Sequence, residues 1–143
     1  MKLRIICVGK LKEAASRDWL AEYQKRLGKY ASVEWVEFKE YTPVEEAKEI
    51  LKRIKDEYVI LLDRVGVTVS SEEFASHLKK HTMQKDIVFV IGGPSGVTQD
   101  VKKRANLMLS FGPMTFPHQL ARVMLAEQLY RAFTIIKGEP YHK

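Results

Sequence analysis

Cysteine and long apolar runs are the features that this 143-residue chain most lacks. Its single cysteine, Cys7, cannot form an internal disulfide, so we expect a cytoplasmic protein in which Cys7 is a buried structural thiol. No stretch of about 18 apolar residues is present, so we expect no membrane-spanning helix. The first apolar stretch closes at Gly9, which makes it too short for the apolar core of a signal peptide.

Familiar metal and catalytic motifs are missing as well. His77 and His81 stand at i and i+4, but the intervening glutamate and a third ligand nearby are missing, so we interpret them as a solvated helix face. The sequence contains no Walker motif, no Gly-x-Gly-x-x-Gly and no Gly-x-Ser-x-Gly. We therefore predict no metal site.

Charged residues are abundant, and the positive excess lies at the two ends of the chain. The formal net charge is +6; residues 1–30 carry eight Lys/Arg against three Asp/Glu, and residues 117–143 carry four against two. Between them the two signs nearly balance. Such a distribution favours a polyanionic partner, although ordinary solvated helices give the same composition.

Apolar runs rich in β-branched residues alternate with stretches of helical periodicity. The runs are Leu3–Val8, Val33–Phe38, Tyr58–Asp63 and Ile87–Gly92, and the helical stretches are about Glu13–Leu27, Val44–Lys55 and Ser71–His81. Nearly continuous apolar strands between helices predict an α/β fold, with a mostly parallel sheet covered by helices on both faces. No linker or repeat interrupts this pattern, so residues 1–143 are predicted to form one domain.

The last third of the chain departs from this alternation. A short helix around Thr98–Asn106 and the apolar stretch Leu107–Phe116 lead into a helix from about Pro117 to Lys137. That helix is apolar nearly all round, so it has to be buried on more than one side. The sheet can cover one side, and a second copy of the chain is the simplest cover for another, which predicts a homodimer.

Two segments place glycine and proline where a ligand can approach the backbone. The turn 91-IGGPSG-96 leads into a helix whose N-terminus favours a negative group, but a purely structural turn is equally compatible. In 111-FGPMTFPHQLAR-122, Gly-Pro and Phe-Pro pairs shape loops whose backbone groups are suited to reading the edge of an adenine. Phe111, Met114 and Phe116 would enclose it.

The C-terminal region holds the remaining candidates for chemistry. His118 and Arg122 share one face of the last helix, where His118 could alternatively have only a capping-region role. Arg131 lies in an apolar helix and needs a partner, and Glu127 at i−4 offers a purely structural ion pair. The tail 139-EPYHK-143 is either a frayed end or a segment that stacks on a base and contacts phosphate.

Ordered blocks along nearly the whole chain resemble one known family. The blocks are 1-MKLRIICVGKLK-12, 22-EYQKRLGKY-30, 61-LLDRVG-66, 88-VFVIGGPSG-96, 107-LMLSFGPMTFPHQLARVMLAEQLYRAFTI-135 and 140-PYHK-143. They resemble the ribosomal RNA large-subunit methyltransferase H family of the SPOUT superfamily. The resemblance implies S-adenosyl-L-methionine-dependent methylation of N3 of a pseudouridine in 23S rRNA, with neither DNA nor a membrane as partner.

The resemblance also implies structure and site residues. It implies a homodimer and a C-terminal trefoil knot, an exception to the rule that chains do not thread themselves. The cofactor positions fall on Leu62, Gly92, Phe111, Gly112, Pro113, Met114, Thr115 and Phe116. We expect His118, Arg131, Tyr141 and His142 to remove the N3 proton or to stabilise the anion that forms there. In two departures from the family pattern, Val67 replaces a frequent lysine and the segment 39-KEYTPVEE-46 is short.

Two other functions remain compatible with the residues. One is an enzyme that binds a nucleotide phosphate at the glycine-rich turn. The other is a non-catalytic module that binds rRNA or assists ribosome assembly. Binding of S-adenosylmethionine distinguishes the family activity from both.

Overall fold

A computed structural model describes residues 1–143 as ten alternating elements. The strands are β1 (Lys2–Val8), β2 (Ser32–Phe38), β3 (Tyr58–Val67), β4 (Ile87–Ile91) and β5 (Leu107–Leu109). The helices are α1 (Ala14–Leu27), α2 (Pro43–Arg53), α3 (Ser71–Thr82), α4 (Gln99–Arg104) and α5 (His118–Lys137). None of the five helices combines the length and hydrophobicity that crossing a bilayer requires.

The strands form one sheet in the order β2-β1-β4-β3-β5, and every neighbouring pair is parallel. Successive side chains of a strand point to opposite faces, so Leu3 and Ile5 pack among α1, α3 and α5. Ile6 and Val8 pack among α2 and α4 on the other face. The predicted parallel α/β sheet with helices on both faces is therefore confirmed.

Local signals set the starts of two helices. The Thr42 hydroxyl accepts a hydrogen bond from the Glu45 N–H at 3.3 Å, and proline occupies the first position of α2. At α3 the bonding is reciprocal: Ser70 Oγ accepts from the Glu73 N–H at 3.0 Å, and Glu73 Oε1 accepts from the Ser70 N–H at 2.9 Å. This capping box fixes the corner at which β3 turns into α3.

The end of β3 wraps around β5. Leu109 pairs with Leu62 and again with Val67, so the residues between them form a bend around the edge strand. A Cβ on Gly66 would lie 2.5 Å from the Met108 carbonyl oxygen, and only glycine permits this approach. This second pairing extends β3 beyond the predicted end at Asp63, whereas the apolar stretch 107–116 forms a strand only as far as Leu109.

We predict that Gly66→Ala lowers the free energy of unfolding by at least about 2 kcal/mol, because the new methyl group overlaps backbone atoms that cannot move independently. Urea denaturation at one protein concentration measures the effect. Gly28→Ala is the matched control: Gly28 has helical dihedrals, and its added Cβ would meet nothing closer than 3.4 Å. If Gly66→Ala were as stable as Gly28→Ala, the close approach would be wrong.

Candidate functional site

The carboxyl ends of three neighbouring strands bring the predicted cofactor residues to one edge of the sheet. Leu62 in β3 pairs with Ile91 on one side and with Leu109 on the other. Gly92 follows Ile91 directly, and Phe111 lies two residues beyond Leu109. Crevices at the carboxyl ends of parallel strands are where α/β sheets bind ligands.

The glycine-rich turn has a packing role of its own. A Cβ on Gly92 would lie 2.6 Å from Val97 Cγ1, and one on Gly93 would lie 3.0 Å from Val8 Cγ1. Glu46 is buried beneath this turn and accepts a hydrogen bond from the Tyr41 N–H at 2.8 Å. Close packing alone therefore explains why glycine occupies these two positions, without a bound ligand. The following helix, α4, has only six residues.

The loop after β5 presents open backbone and apolar side chains together. Gly112 has φ +123°, and nothing lies within 4 Å of where its Cβ would be. Met114 is 74% exposed and Phe116 is 36% exposed, so apolar surface surrounds this open backbone. Phe111 packs partly against the core, which anchors the start of the loop.

Ser110, which the sequence analysis did not single out, holds this loop against the bend of β3. Its hydroxyl lies 3.0 Å from the Arg64 carbonyl oxygen and accepts from the Gly112 N–H at 2.9 Å. The Ser110 N–H donates to the Val67 carbonyl at 2.8 Å. A lone serine between an apolar strand and a Gly-Pro pair is the only signal of this role in the sequence.

Arg122 is buried and serves as a structural cross-link. Its Nη2 donates to the Val8 and Gly9 carbonyl oxygens at 3.1 and 2.6 Å. Its Nη1 pairs with Glu37 at 2.5 Å, so one guanidinium joins α5 to the ends of β1 and β2. His118 lies one helical turn earlier and faces Gly9: its Nε2 is 3.7 Å from where a Gly9 Cβ would be.

The tail folds back instead of fraying. The α5 C-terminus forms a Schellman motif, in which Gly138 N–H donates to Ile135 and Glu139 N–H to Thr134. The Glu139 carboxylate then accepts from Lys29 Nζ at 2.9 Å and from the Tyr30 hydroxyl at 2.7 Å. These contacts connect the tail to the turn that follows α1.

Three of the four predicted catalytic residues lie together where the tail meets α5. Arg131 Nε donates to Glu127 at 2.8 Å, and this bond together with the Glu127 charge raises the pKa of Arg131 despite partial burial. The guanidinium lies over the Tyr141 ring at 4.8 Å and contacts His142 Nδ1 at 3.1 Å. His118 is at the opposite end of α5, about 20 Å away along the helix axis.

Tyr141 is held as a neutral hydroxyl. Burial first, then the hydrogen bond with Tyr23 and the negative charge of Glu127, raise its pKa to about 12. Its hydroxyl donates to Glu127 at 3.3 Å, and its ring packs edge-on against Tyr130 at 4.7 Å. Near neutral pH this residue can donate a hydrogen bond but does not act as a base.

A hollow of about 370 Å³ lies between Phe111, at the start of the loop after β5, and Glu127, which binds Arg131. Phe111 and Ser110 border it on the side of the β5 loop, and Glu127 and Gln128 border it on the side of the tail. The rest of its wall comes from the start of α3 and from apolar side chains of α1 and α5, including Trp19, Leu120, Val123 and Met124.

A second hollow, of about 510 Å³, lies at the opposite, amino-terminal edge of the sheet. His81 lines it and stacks on Tyr58 at 4.0 Å, while His77 Nε2 lies 2.9 Å from the Tyr58 hydroxyl. Burial is the main cause that lowers the pKa of both histidines. The interpretation of this pair as a solvated helix face is therefore wrong, because Tyr58 supplies a neighbour from outside the helix.

Cys7 is fully buried in the sheet, as expected for a structural thiol. Burial raises its pKa to about 12, against a partial opposing effect of the Arg122 charge. The thiol therefore stays protonated under physiological conditions and has no nucleophilic role.

We predict that Arg122→Ala lowers the free energy of unfolding by about 3 kcal/mol, because two buried carbonyl oxygens and part of Glu37 lose their partner. Thermal or urea unfolding measures this loss. Arg17→Ala, which removes an exposed arginine from α1, is the control and should change stability by less than about 0.5 kcal/mol. Equal stability of the two variants would contradict the structural role of Arg122.

Comparison with known proteins adds independent information. A family model described as "Predicted SPOUT methyltransferase" matches residues 1–142. A protein of Caldicellulosiruptor saccharolyticus is 48% identical over 153 aligned positions, which cover 99% of both chains. Proteins of Streptococcus equi subsp. zooepidemicus and Lactobacillus delbrueckii subsp. bulgaricus are 46% and 47% identical over the full length of both chains. All three are named ribosomal RNA large subunit methyltransferase H.

Proposed function

The chain belongs to the ribosomal RNA large subunit methyltransferase H family of SPOUT methyltransferases, and from this premise we propose that it methylates 23S rRNA with S-adenosylmethionine. The target we propose is N3 of a pseudouridine. The observation that carries the proposal is the hollow between the start of the loop after β5, at Phe111, and Glu127, which is the ion-pair partner of Arg131 in the tail cluster. It offers a single base a place between the proposed cofactor loop and the tail cluster.

The residues at the sheet edge fit the proposed cofactor. Gly112 leaves open space where a side chain would lie, and the exposed Met114 and Phe116 offer apolar cover for a nucleoside. We assign the cofactor to this edge, on Leu62, Gly92, Phe111, Gly112, Pro113, Met114, Thr115 and Phe116. When bound, S-adenosylmethionine supplies an electrophilic methyl group on its sulfonium. The protein contributes by aligning the base with that group and excluding water.

The tail cluster fits the substrate side of the reaction. N3 of pseudouridine carries a proton in neutral solution, and losing it places negative charge on the base. Arg131 keeps a positive charge next to the hollow and stabilises that anion. The neutral Tyr141 hydroxyl contacts Glu127 and the His142 ring contacts Arg131, and we propose that both residues help to orient the base. His118 can join them only from a second copy of the chain.

We propose that this second copy packs on α5. Trp19 and Leu120 line the hollow with exposed fractions of 54% and 37%, and Met114 and Phe116, in the loop before α5, are exposed as well. An antiparallel arrangement of two α5 helices would bring His118 of one copy towards Arg131 of the other. An interface of about 800 Å² per partner suits a stable dimer.

The family's trefoil knot and a cytoplasmic location complete the proposal. The bend of β3 around Leu109 and Ser110 supports the knot, since it forms the kind of loop through which a following chain segment passes. The proposed ribosomal substrate and the single buried cysteine both suit the cytoplasm.

The basic N-terminal region supports an RNA substrate. Lys10, Lys12 and Lys25 are exposed, and we propose that they attract rRNA phosphates. Arg26 and Lys29 pair with Glu22 and Glu139, so they add less to this attraction.

We predict that deletion of residues 141–143 abolishes methyl transfer to ribosomal particles and leaves the affinity for S-adenosylmethionine unchanged, because the tail lies outside the cofactor loops.

We predict that Gly112→Ala weakens the binding of S-adenosylmethionine by at least about tenfold, because the φ of +123° at this position disfavours a residue with a side chain. Calorimetry measures binding, and transfer of a labelled methyl group measures activity.

Wild-type results separate the rival functions. No binding of S-adenosylmethionine, with binding of a nucleotide phosphate instead, would favour a nucleotide-binding enzyme. Binding of rRNA without methyl transfer would favour a non-catalytic module. Equal methyl transfer by the wild type and the truncated protein would contradict the assignment of the tail to the substrate side.

We predict that Leu120→Glu converts the protein from a dimer to a monomer, because it places a charge on the proposed interface. Light scattering at micromolar concentration measures the mass. Val44→Glu is the matched control: Val44 is also exposed and apolar but lies on α2, so this variant should remain dimeric. A monomeric wild type with full activity would contradict the dimer.

A further inference from the structure

We propose that Glu72 is a positioning residue for methyl transfer: its carboxylate fixes one tautomer of His142 and, through that ring, the orientation of Arg131. The inference rests on the proposed function and adds to it a residue from a different part of the chain. Glu72 lies in the first turn of α3, far in sequence from the tail that it contacts.

Glu72 stands on a rigid corner. The Ser70–Glu73 capping box fixes the first turn of α3, so the backbone of Glu72 is held in place. The Ser71 hydroxyl donates to Gln128 Oε1 at 2.8 Å and ties that turn to α5. Ser70, Ser71 and Gln128 also line the hollow, so this corner forms part of the proposed substrate site.

The contacts of His142 determine which ring nitrogen carries the proton. Arginine has only donors, so the Nδ1 atom that faces Arg131 Nη1 at 3.1 Å has to be the unprotonated acceptor. The proton is then on Nε2, which donates to Glu72 Oε1. This bond also lowers the pKa of Glu72, which keeps the carboxylate ionised.

The resulting chain of contacts constrains the guanidinium from two sides. Glu127 binds Arg131 through Nε and Nη2, and the Glu72–His142 pair binds it through Nη1. The remaining N–H groups of Nη1 and Nη2 stay available for a substrate oxygen. Without Glu72, His142 is free to rotate or to move its proton to Nδ1, which would turn a donor towards Arg131.

The test compares Glu72→Ala with Glu72→Gln, whose amide oxygen can still accept from Nε2–H. We expect Glu72→Ala to lower kcat for methyl transfer to ribosomal particles on the order of tenfold to a hundredfold. We expect Glu72→Gln to stay within about threefold of the wild type, and neither variant to change cofactor affinity. Glu45→Ala, which removes an exposed acid from the first turn of α2, is the matched control and should have wild-type kcat.

A second measurement is independent of activity. Nitrogen-15 chemical shifts of the histidine rings, with His142 assigned by comparison with His142→Asn, should report the Nε2–H tautomer in the wild type and a mixture in Glu72→Ala. Wild-type turnover in Glu72→Ala, equal losses in Glu72→Ala and Glu72→Gln, or an Nδ1–H tautomer in the wild type would each overturn the proposal. An inactive wild type that has the expected tautomer would instead count against the proposed function.

Discussion

The backbone of β5 lies so close to Gly66 that no side chain fits between them, and the candidate site depends on this contact. Because the bend of β3 closes around Leu109, the loop after β5 emerges beside the ends of β3 and β4. Ser110 fixes that loop to the bend, and α5 then starts where Arg122 can reach the ends of β1 and β2. One backbone contact therefore determines where both the loop and the last helix begin.

The regular part of the fold could be predicted from the sequence because its signals are local. Apolar runs and helical periods located β1, β2, β4, the start of β3 and the five helices within a few residues. The extension of β3 to Val67 could not be predicted, since it depends on pairing with a strand some forty residues later in the chain. The histidine pair was misinterpreted for the same reason: its neighbour, Tyr58, lies outside the helix.

The candidate site likewise combines local features, which the sequence shows, with long-range contacts, which it does not. The glycine and proline positions in the loops and the Glu127–Arg131 pair follow from short spacings that can be read directly. Nothing in the sequence pattern links Glu72 to His142 or Ser110 to Arg64, because these contacts form only after distant elements pack. The hollow has the same origin, since α1, α3, α5 and the β5 loop each supply part of its wall.

The strand order also determines how the chain acquires its structure over time. β1 lies between β2 and β4, and Leu3 is paired with Ile87. During synthesis β1 therefore has only β2 as a partner until most of the chain has been made, and its other edge stays open. Sheets built from such distant parallel pairings fold slowly and expose unpaired edges on the way. We expect folding of this protein to be limited by the late arrival of β4 and β5 rather than by formation of its helices.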